Sequence, residues 1–132
     1  MMLIVTLAAT FLCACGNMRI PTLKDDNAAH AQNDFLKGVK SYEGGDYDEA
    51  KELLKDALKD GLANKKDQVT AHKYLAFINC FTSQEALCRS EFRQAFEIDP
   101  TFTLKPEEEG HPIWTPIYFD VKREVAHSDT RD

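Results

Sequence analysis

Positive charge is scarce in this sequence. Its 132 residues carry 16 Lys and Arg against 22 Asp and Glu, which is a formal net charge of −6. Nucleic acids are bound through clusters of basic side chains that neutralise phosphates, so this balance predicts no nucleic-acid binding. It also disfavours binding to an anionic membrane surface. The length predicts one small domain with one core.

The short motifs that mark catalysis are lacking as well. The sequence contains no HExxH, GxSxG or CxxC motif and no phosphate-binding glycine loop. The histidines at positions 30, 72, 111 and 127 share no metal-ligand spacing, and His72 is predicted to be a structural residue on an inner helix face. We therefore predict that the protein is not an enzyme and that it has no metal or cofactor.

The N-terminal residues form a short apolar run, and the first charged side chain is Arg19. An apolar stretch of about 14 residues is too short to span a bilayer, which takes about 20, but it suits the hydrophobic region of a secretory signal. The alternative is a buried strand or helix of the fold. The signal is favoured because the chain turns polar at residue 16, and Pro21 with the acidic residues after it is typical of a linker.

The end of this run, LCAC at residues 12–15, resembles the lipobox of bacterial lipoproteins. In that motif a branched apolar residue lies three positions before the modified cysteine, and a small residue lies directly before it. Cys15 fits this pattern, whereas Cys13 follows the bulky Leu12. The resemblance implies that Cys15 becomes a lipid-carrying N-terminus with fatty acyl chains such as palmitate. Gly16 after it implies anchoring in the outer membrane, on the periplasmic face.

The first half of the remaining chain predicts a pair of helices. Apolar and small residues recur at helical spacing up to Gly44-Gly45, which is a stop signal. Asp46 then begins a second helix as its N-cap, with Glu49 three residues on as in a capping box, and Gly61 ends that helix. So short a turn predicts two antiparallel helices.

The second half repeats this arrangement. A third helix is predicted from an apolar face that contains His72 and Asn79, and Thr82 with Glu85 is predicted to cap a fourth helix that stops at Asp99-Pro100. Ala57 and Ala95 occupy equivalent positions, 38 residues apart. A period of this length indicates a helical repeat.

These residues resemble the tetratricopeptide repeat. The stretch GDYDEAKELLKDAL at residues 45–58 is similar to the second helix of that repeat, with Gly38 at the small position of the first helix and Ala50 facing it. In the second copy Cys88 replaces the usual packing alanine, and the connection GLANKKD is longer than usual. An unrelated pair of helical hairpins is the alternative, and it would keep the same fold class.

The predicted fold is therefore all-α, with two tetratricopeptide-like helical hairpins and a C-terminal capping helix. The predicted organisation is a signal peptide (1–14), a lipidated cysteine with a tether (15–26), a helical domain (27–126) and a polar tail (127–132).

A finer resemblance covers residues 72 to about 119, which include HKYLAFINC and GHPIWTPIYF. This stretch is similar to the tetratricopeptide-type lipoproteins associated with type VI secretion (TssQ-like). The resemblance implies an adaptor that binds a protein partner of a secretion assembly. A lipoprotein that assists peptidoglycan or cell-wall enzymes is the alternative, in which the acidic run 107–109 and His111 would meet sugar or peptide. The oligomeric state is not indicated.

Cys80 and Cys88 remain once Cys13 and Cys15 are assigned to the signal and the lipid. Two cysteines make a poor zinc site, because such sites usually have four nitrogen or sulfur ligands. In an exported chain the pair predicts a disulfide between the third and fourth helices. Two buried free thiols are the alternative.

The segment HPIWTPIYF allows two interpretations. Thr115 could cap a final helix that Pro116 opens, with Trp114 packed against the last hairpin as terminal repeats require. Alternatively, Trp114, with Tyr118 and Phe119 near it, could form an exposed anchor for a partner, because aromatic residues dominate interface hot spots. His111 is a further candidate partner contact.

The lipid assignment predicts that Cys15→Ser releases the protein from the membrane fraction, because serine cannot accept the diacylglycerol. Fractionation and intact-mass spectrometry should show a native chain that begins at Cys15 and carries acyl mass. A Cys15→Ser chain that stays in the membrane with unchanged mass would contradict the assignment.

Overall fold

A computed structural model describes residues 23–128, so the predicted signal peptide, Cys15 and most of the tether lie outside the described residues. Within that range the chain forms five α-helices: α1 (Leu23–Glu43), α2 (Tyr47–Asp60), α3 (Lys65–Phe81), α4 (Glu85–Ile98) and α5 (Thr115–Ser128). The all-α prediction is confirmed. None of these helices combines the length and the apolar character that crossing a membrane requires.

Two boundaries differ from the prediction. α1 starts at Leu23 rather than at Asn27, so four residues assigned to the tether are helical. α5 continues to Ser128, two residues beyond the predicted end of the domain at 126. The first difference extends α1 by about one turn, and the second extends α5 by about half a turn.

The caps of α2 lie where the sequence predicts them. The side chain of Asp46 accepts a hydrogen bond from the Glu49 backbone N–H at 3.2 Å. At the other end Gly61 adopts the left-handed conformation (φ +94°), and its N–H bonds to carbonyls of the last turn. Glycine is suited to this position because it has no Cβ to clash.

α1 and α2 pack closely at Gly38. A Cβ on this residue would lie 2.9 Å from Leu54 Cγ, so the leucine side chain fills the space that a larger residue would need. The nearest contacts of Gly38 are with Leu54, one turn beyond the predicted partner Ala50. Glycine therefore sets the distance between the two helices.

The connection between α2 and α3 is shorter than predicted. Asn64 caps α3, and its side chain accepts hydrogen bonds from the backbone N–H groups of Lys66 at 2.9 Å and Asp67 at 3.4 Å. The KKD part of GLANKKD is therefore the first turn of α3, and only residues 61–64 connect the helices.

α3 is the central helix and is buried on most of its surface. It packs against α1, α2 and α4. The buried residues of α3 itself are Val69, Ala71, Lys73, Tyr74, Leu75, Ala76, Phe77, Ile78, Asn79 and Cys80. His72 is also satisfied as predicted, because its Nδ1 lies 2.6 Å from a carboxylate oxygen of Glu91 on α4.

The prediction that Thr82 caps α4 is wrong. The Thr82 hydroxyl donates to the Ile78 carbonyl at 3.0 Å, so it completes the last turn of α3 instead. Ser83 then takes a left-handed conformation (φ +59°) that reverses the chain. Gln84 is left to precede α4, and its side chain makes no capping bond within the described residues.

Cys80 and Cys88 form a disulfide that joins the last turn of α3 to the first turns of α4, with the two Cα atoms 5.2 Å apart. The sequence prediction of this pair is confirmed. Closing a loop of this length contributes about 2.5 kcal/mol by the chain-entropy estimate.

Residues 99–114 connect α4 to α5 without a helix, and yet they contribute to the core. Phe102, Leu104 and Trp114 of this connection are all buried. α5 packs against α4 through the buried side chains of Tyr118 and Val121. The connection, rather than α5, thus covers the side of α3 that the other helices leave open.

Two buried tyrosines and one half-buried tyrosine determine how stability depends on alkaline pH. Burial raises the pKa of Tyr42, Tyr74 and Tyr118 above the ordinary value of 10.0. The folded chain therefore keeps protons that the unfolded chain releases, and the stability that these groups contribute is complete below about pH 10 and is lost as pH rises through their folded pKa values. Burial lowers the pKa of Lys73, which acts in the opposite sense only up to its ordinary value of 10.5.

We therefore expect the free energy of unfolding to fall steadily above about pH 10.5. Denaturant titrations at a series of pH values would measure this fall. The free energy of unfolding of Tyr118→Phe should fall less steeply with pH than that of the wild type over the same range. A wild-type stability that stays level there would contradict the prediction.

Candidate partner-binding surface

Trp114 is packed against α3. Its indole stacks on Phe77 with ring centroids 4.2 Å apart and contacts the edge of Phe81 at 5.3 Å. The indole N–H donates to the Glu108 carbonyl at 3.0 Å. With 7 % of its surface exposed, Trp114 is part of the core. Of the two interpretations of this residue, the structure supports packing against the last hairpin.

Thr115 and Pro116 play different parts from those predicted. Thr115 is the first residue of α5 rather than its cap, and its hydroxyl lies 3.5 Å from the Glu108 carbonyl. Pro116 follows within the first turn, where its missing N–H costs no helical hydrogen bond.

Tyr118 is also a core residue, and this corrects its interpretation as a partner contact. Only 1 % of its surface is exposed, and its hydroxyl donates to the Phe102 carbonyl at 3.1 Å. Its ring meets the edges of Phe92 and Phe102. Tyr118 therefore links the connection and α5 to α4.

His111 is the predicted contact residue that reaches the surface. Its ring lies flat on the Trp114 indole, with centroids 3.4 Å apart and planes within 4°. Its Nδ1 accepts a hydrogen bond from the Ile113 backbone N–H at 3.3 Å, so the other ring nitrogen carries the proton in the neutral form. His111 is half-buried, and Trp114 supports it from beneath.

Exposed apolar side chains surround His111. Phe81, at the end of α3, contacts the His111 ring edge-on at 5.4 Å and is 41 % exposed. Tyr47, at the start of α2, stacks on Phe81 at 5.9 Å and is 40 % exposed, and Ile113 is 41 % exposed. We name Tyr47, Phe81, His111 and Ile113 the aromatic patch. It joins residues from three separate turns at one end of the helices.

Sequence reasoning missed Tyr47 and Phe81. Both are end residues of their helices, where periodicity does not separate a buried face from an exposed one. The sequence contains one signal for Phe81. This residue directly follows Cys80, and the disulfide fixes the position of the last turn of α3.

A buried ion pair joins α3 to the 99–114 connection. Lys73 on α3 is only 5 % exposed, and its Nζ lies 2.5 Å from Glu108 Oε1. Burial lowers the pKa of Lys73, and the hydrogen bond that Lys73 donates to Glu108 partly offsets that effect. Glu108 Oε2 accepts a second bond from the Lys105 backbone N–H at 2.9 Å. One member of the acidic run 107–109 is therefore a structural residue.

Three side chains at the open end of the first hairpin could hold a metal ion. The Nδ1 of His30 lies 3.2 Å from Asp34 and 3.1 Å from Asp60, and the candidate ligand atoms all fall within 4.8 Å of one another. The same distances also fit a site without a metal, in which the His30 ring lies between the carboxylates of Asp34 and Asp60 and contacts both. The i, i+4 spacing of His30 and Asp34 was the sequence signal for this cluster.

The comparisons with known proteins found no match: no protein-family model, no curated protein and no solved structure is similar to the chain.

Burial of Trp114 predicts that Trp114→Ala destabilises the fold by about 3–5 kcal/mol, because it leaves a cavity against Phe77 and removes the support of His111. Denaturant unfolding would measure the loss. Phe119→Ala is the matched control. Phe119 is 44 % exposed, so this variant should lose much less stability. Equal losses for the two variants would contradict the packing role of Trp114.

Proposed function

We propose that this protein is a periplasmic adaptor, anchored to the outer membrane through Cys15, that binds a protein partner as an accessory component of a type VI secretion system. The observation that carries the protein-binding part is the aromatic patch. The anchor rests on the lipobox at residues 12–15, and the secretion pathway rests on the resemblance over residues 72 to about 119.

The aromatic patch has the chemistry of an interface hot spot. Aromatic side chains supply large contact area with few rotatable bonds, so they lose little entropy on binding. Here Phe81 and His111 are already held by stacking and edge contacts with Trp114. A partner would therefore meet a surface that needs little rearrangement.

The disulfide supports a location outside the cytosol. Structural disulfides persist in oxidising compartments such as the periplasm and are rare where thiols are kept reduced. The Cys80–Cys88 bond lies in the core, next to Phe81. It is therefore suited to stabilising the patch in that compartment.

The anchor would hold the helical domain near the membrane. Seven residues, 16–22, separate Cys15 from the first residue of α1. Fully extended, seven residues reach about 25 Å. A tether this short raises the effective concentration of the patch for a partner at the same membrane.

The patch predicts a test with a matched control. Tyr47→Ala combined with Ile113→Ala removes exposed apolar area from the patch, whereas Leu36→Ala combined with Leu87→Ala removes similar exposed area elsewhere. We expect the patch variant to lose effector delivery to neighbouring cells by about tenfold or more, since hot-spot truncations cost more than 1 kcal/mol each. The control variant should deliver normally.

Thermal melting must show that both double variants are folded. Cys15→Ser should restore delivery poorly in a deletion strain, because the patch is then no longer held at the membrane. Normal delivery by the patch variant would contradict the proposal. Unchanged delivery in the deletion strain together with altered wall composition would favour the cell-wall alternative.

A further inference from the structure

A second surface lies on the same central helix. A cavity of about 620 Å³ separates the first half of α3 from the early part of the 99–114 connection. This volume lies in the range of sites that bind drug-sized ligands or short peptide segments. Neither the sequence motifs nor the aromatic patch accounts for it.

The cavity is basic although the protein is acidic. Lys65, Lys66, Lys73 and Lys105 line it, together with a single carboxylate, that of Asp99. Lys73 is neutralised by Glu108, but the other three lysines form no ion pair within the described part of the chain. The cavity therefore presents unpaired positive charge on a chain whose net charge is −6.

The single carboxylate is already engaged. Asp99 Oδ1 accepts hydrogen bonds from the Thr101 backbone N–H at 2.9 Å and from its hydroxyl at 2.6 Å. These bonds lower the pKa of Asp99, so it stays ionised. Glu107 also lies close enough for its charge to act on Lys73. The three lysines without ion pairs still outnumber Asp99 and Glu107, so the cavity would attract an anion.

The walls between the lysines are apolar. Val69 and Phe102 are each more than nine-tenths buried, and their side chains line the cavity with Ile98. A ligand that fills this space would place charged groups on the lysines and an apolar group on Val69 and Phe102. Inorganic phosphate has no apolar part and would leave the apolar wall uncovered.

The spacing of the lysines indicates an extended ligand. Lys65 and Lys73 are eight residues apart on α3, which is about 12 Å along the helix axis. Lys105 lies close enough to Lys73 for its charge to act on it. Positive charge thus brackets the cavity at both ends, over a length that matches about four residues of extended peptide. A single carboxylate or phosphate is much shorter.

We propose that this basic cavity binds an acidic peptide segment of the partner, with carboxylates on Lys65, Lys66 and Lys105 and an apolar side chain against Val69 and Phe102. This inference rests on the proposed function only in taking the ligand to be part of a protein. The ligand has the same sign of charge as the chain as a whole, so its attraction depends on the local charge of the cavity.

The test uses the purified full-length chain in detergent and two fluorescein-labelled hexapeptides. One alternates glutamate with leucine, and the other alternates glutamine with leucine. Fluorescence anisotropy should show binding of the glutamate peptide that is at least about tenfold tighter than that of the glutamine peptide and that weakens with added salt. Equal binding of the two peptides would overturn the proposal.

Matched variants locate the site. Lys66→Gln with Lys105→Gln should weaken binding of the glutamate peptide about tenfold, since neither lysine holds an ion pair that folding requires. Lys40→Gln with Lys59→Gln removes the same charge from exposed positions outside the cavity and should bind like the wild type. Equal weakening by both pairs would mean that only overall charge matters, which overturns the proposal.

Competition with octanoate separates a peptide from a small amphipathic anion. The peptide proposal expects octanoate to displace the glutamate peptide only at concentrations far above the peptide's own Kd, and displacement at similar concentrations would overturn it. These binding results are independent of effector delivery. Tight peptide binding with normal delivery in the deletion strain would remove the secretion role and leave the cavity assignment intact.

Discussion

The ion pair between Lys73 and Glu108 joins the central helix to a connection that has no helix of its own. Glu108 uses its carboxylate on Lys73 and on the Lys105 backbone, and its carbonyl on the Trp114 indole. Because the two charges are largely shielded from water, removing one partner would leave the other uncompensated, which typically costs about 3–5 kcal/mol. Lys73 lines the cavity, and the Glu108 carbonyl accepts the hydrogen bond of the Trp114 indole. The shape of the cavity and the position of Trp114 therefore both depend on this residue pair.

The two proposed surfaces lie at opposite ends of α3. Lys66 and Phe81 are fifteen residues apart on this helix, which corresponds to about 22 Å. A single partner that contacts both surfaces must therefore be extended, with an acidic segment at one end and an apolar face at the other. Two separate partners could also bind at once, since the buried core of α3 lies between their sites.

The sequence predicts most where the determining interactions are local. Asp46, Gly61 and the Cys80–Cys88 pair act within a turn or a short loop, and the structure places them as expected. Thr82 was misassigned because the same hydroxyl can cap the following helix or close the preceding one. The choice depends on the left-handed turn at Ser83, which has no glycine to signal it.

The candidate sites were harder to predict because they are tertiary. Lys73 and Glu108 are 35 residues apart, and a lysine on a helix ordinarily indicates a solvated face. Tyr118 has the aromatic character of an interface residue, but burial depends on Phe92 and Phe102 closing over it. Composition identifies which side chains could bind, and only packing decides which of them remain accessible.

The disulfide also bears on when the protein matures. In a reducing compartment Cys80 and Cys88 stay as thiols, so the last turn of α3 and the first turns of α4 are held by packing alone. For a chain that is exported as we propose, the covalent link forms only after translocation. Phe81, which directly follows Cys80, would then gain this covalent support only outside the cytosol.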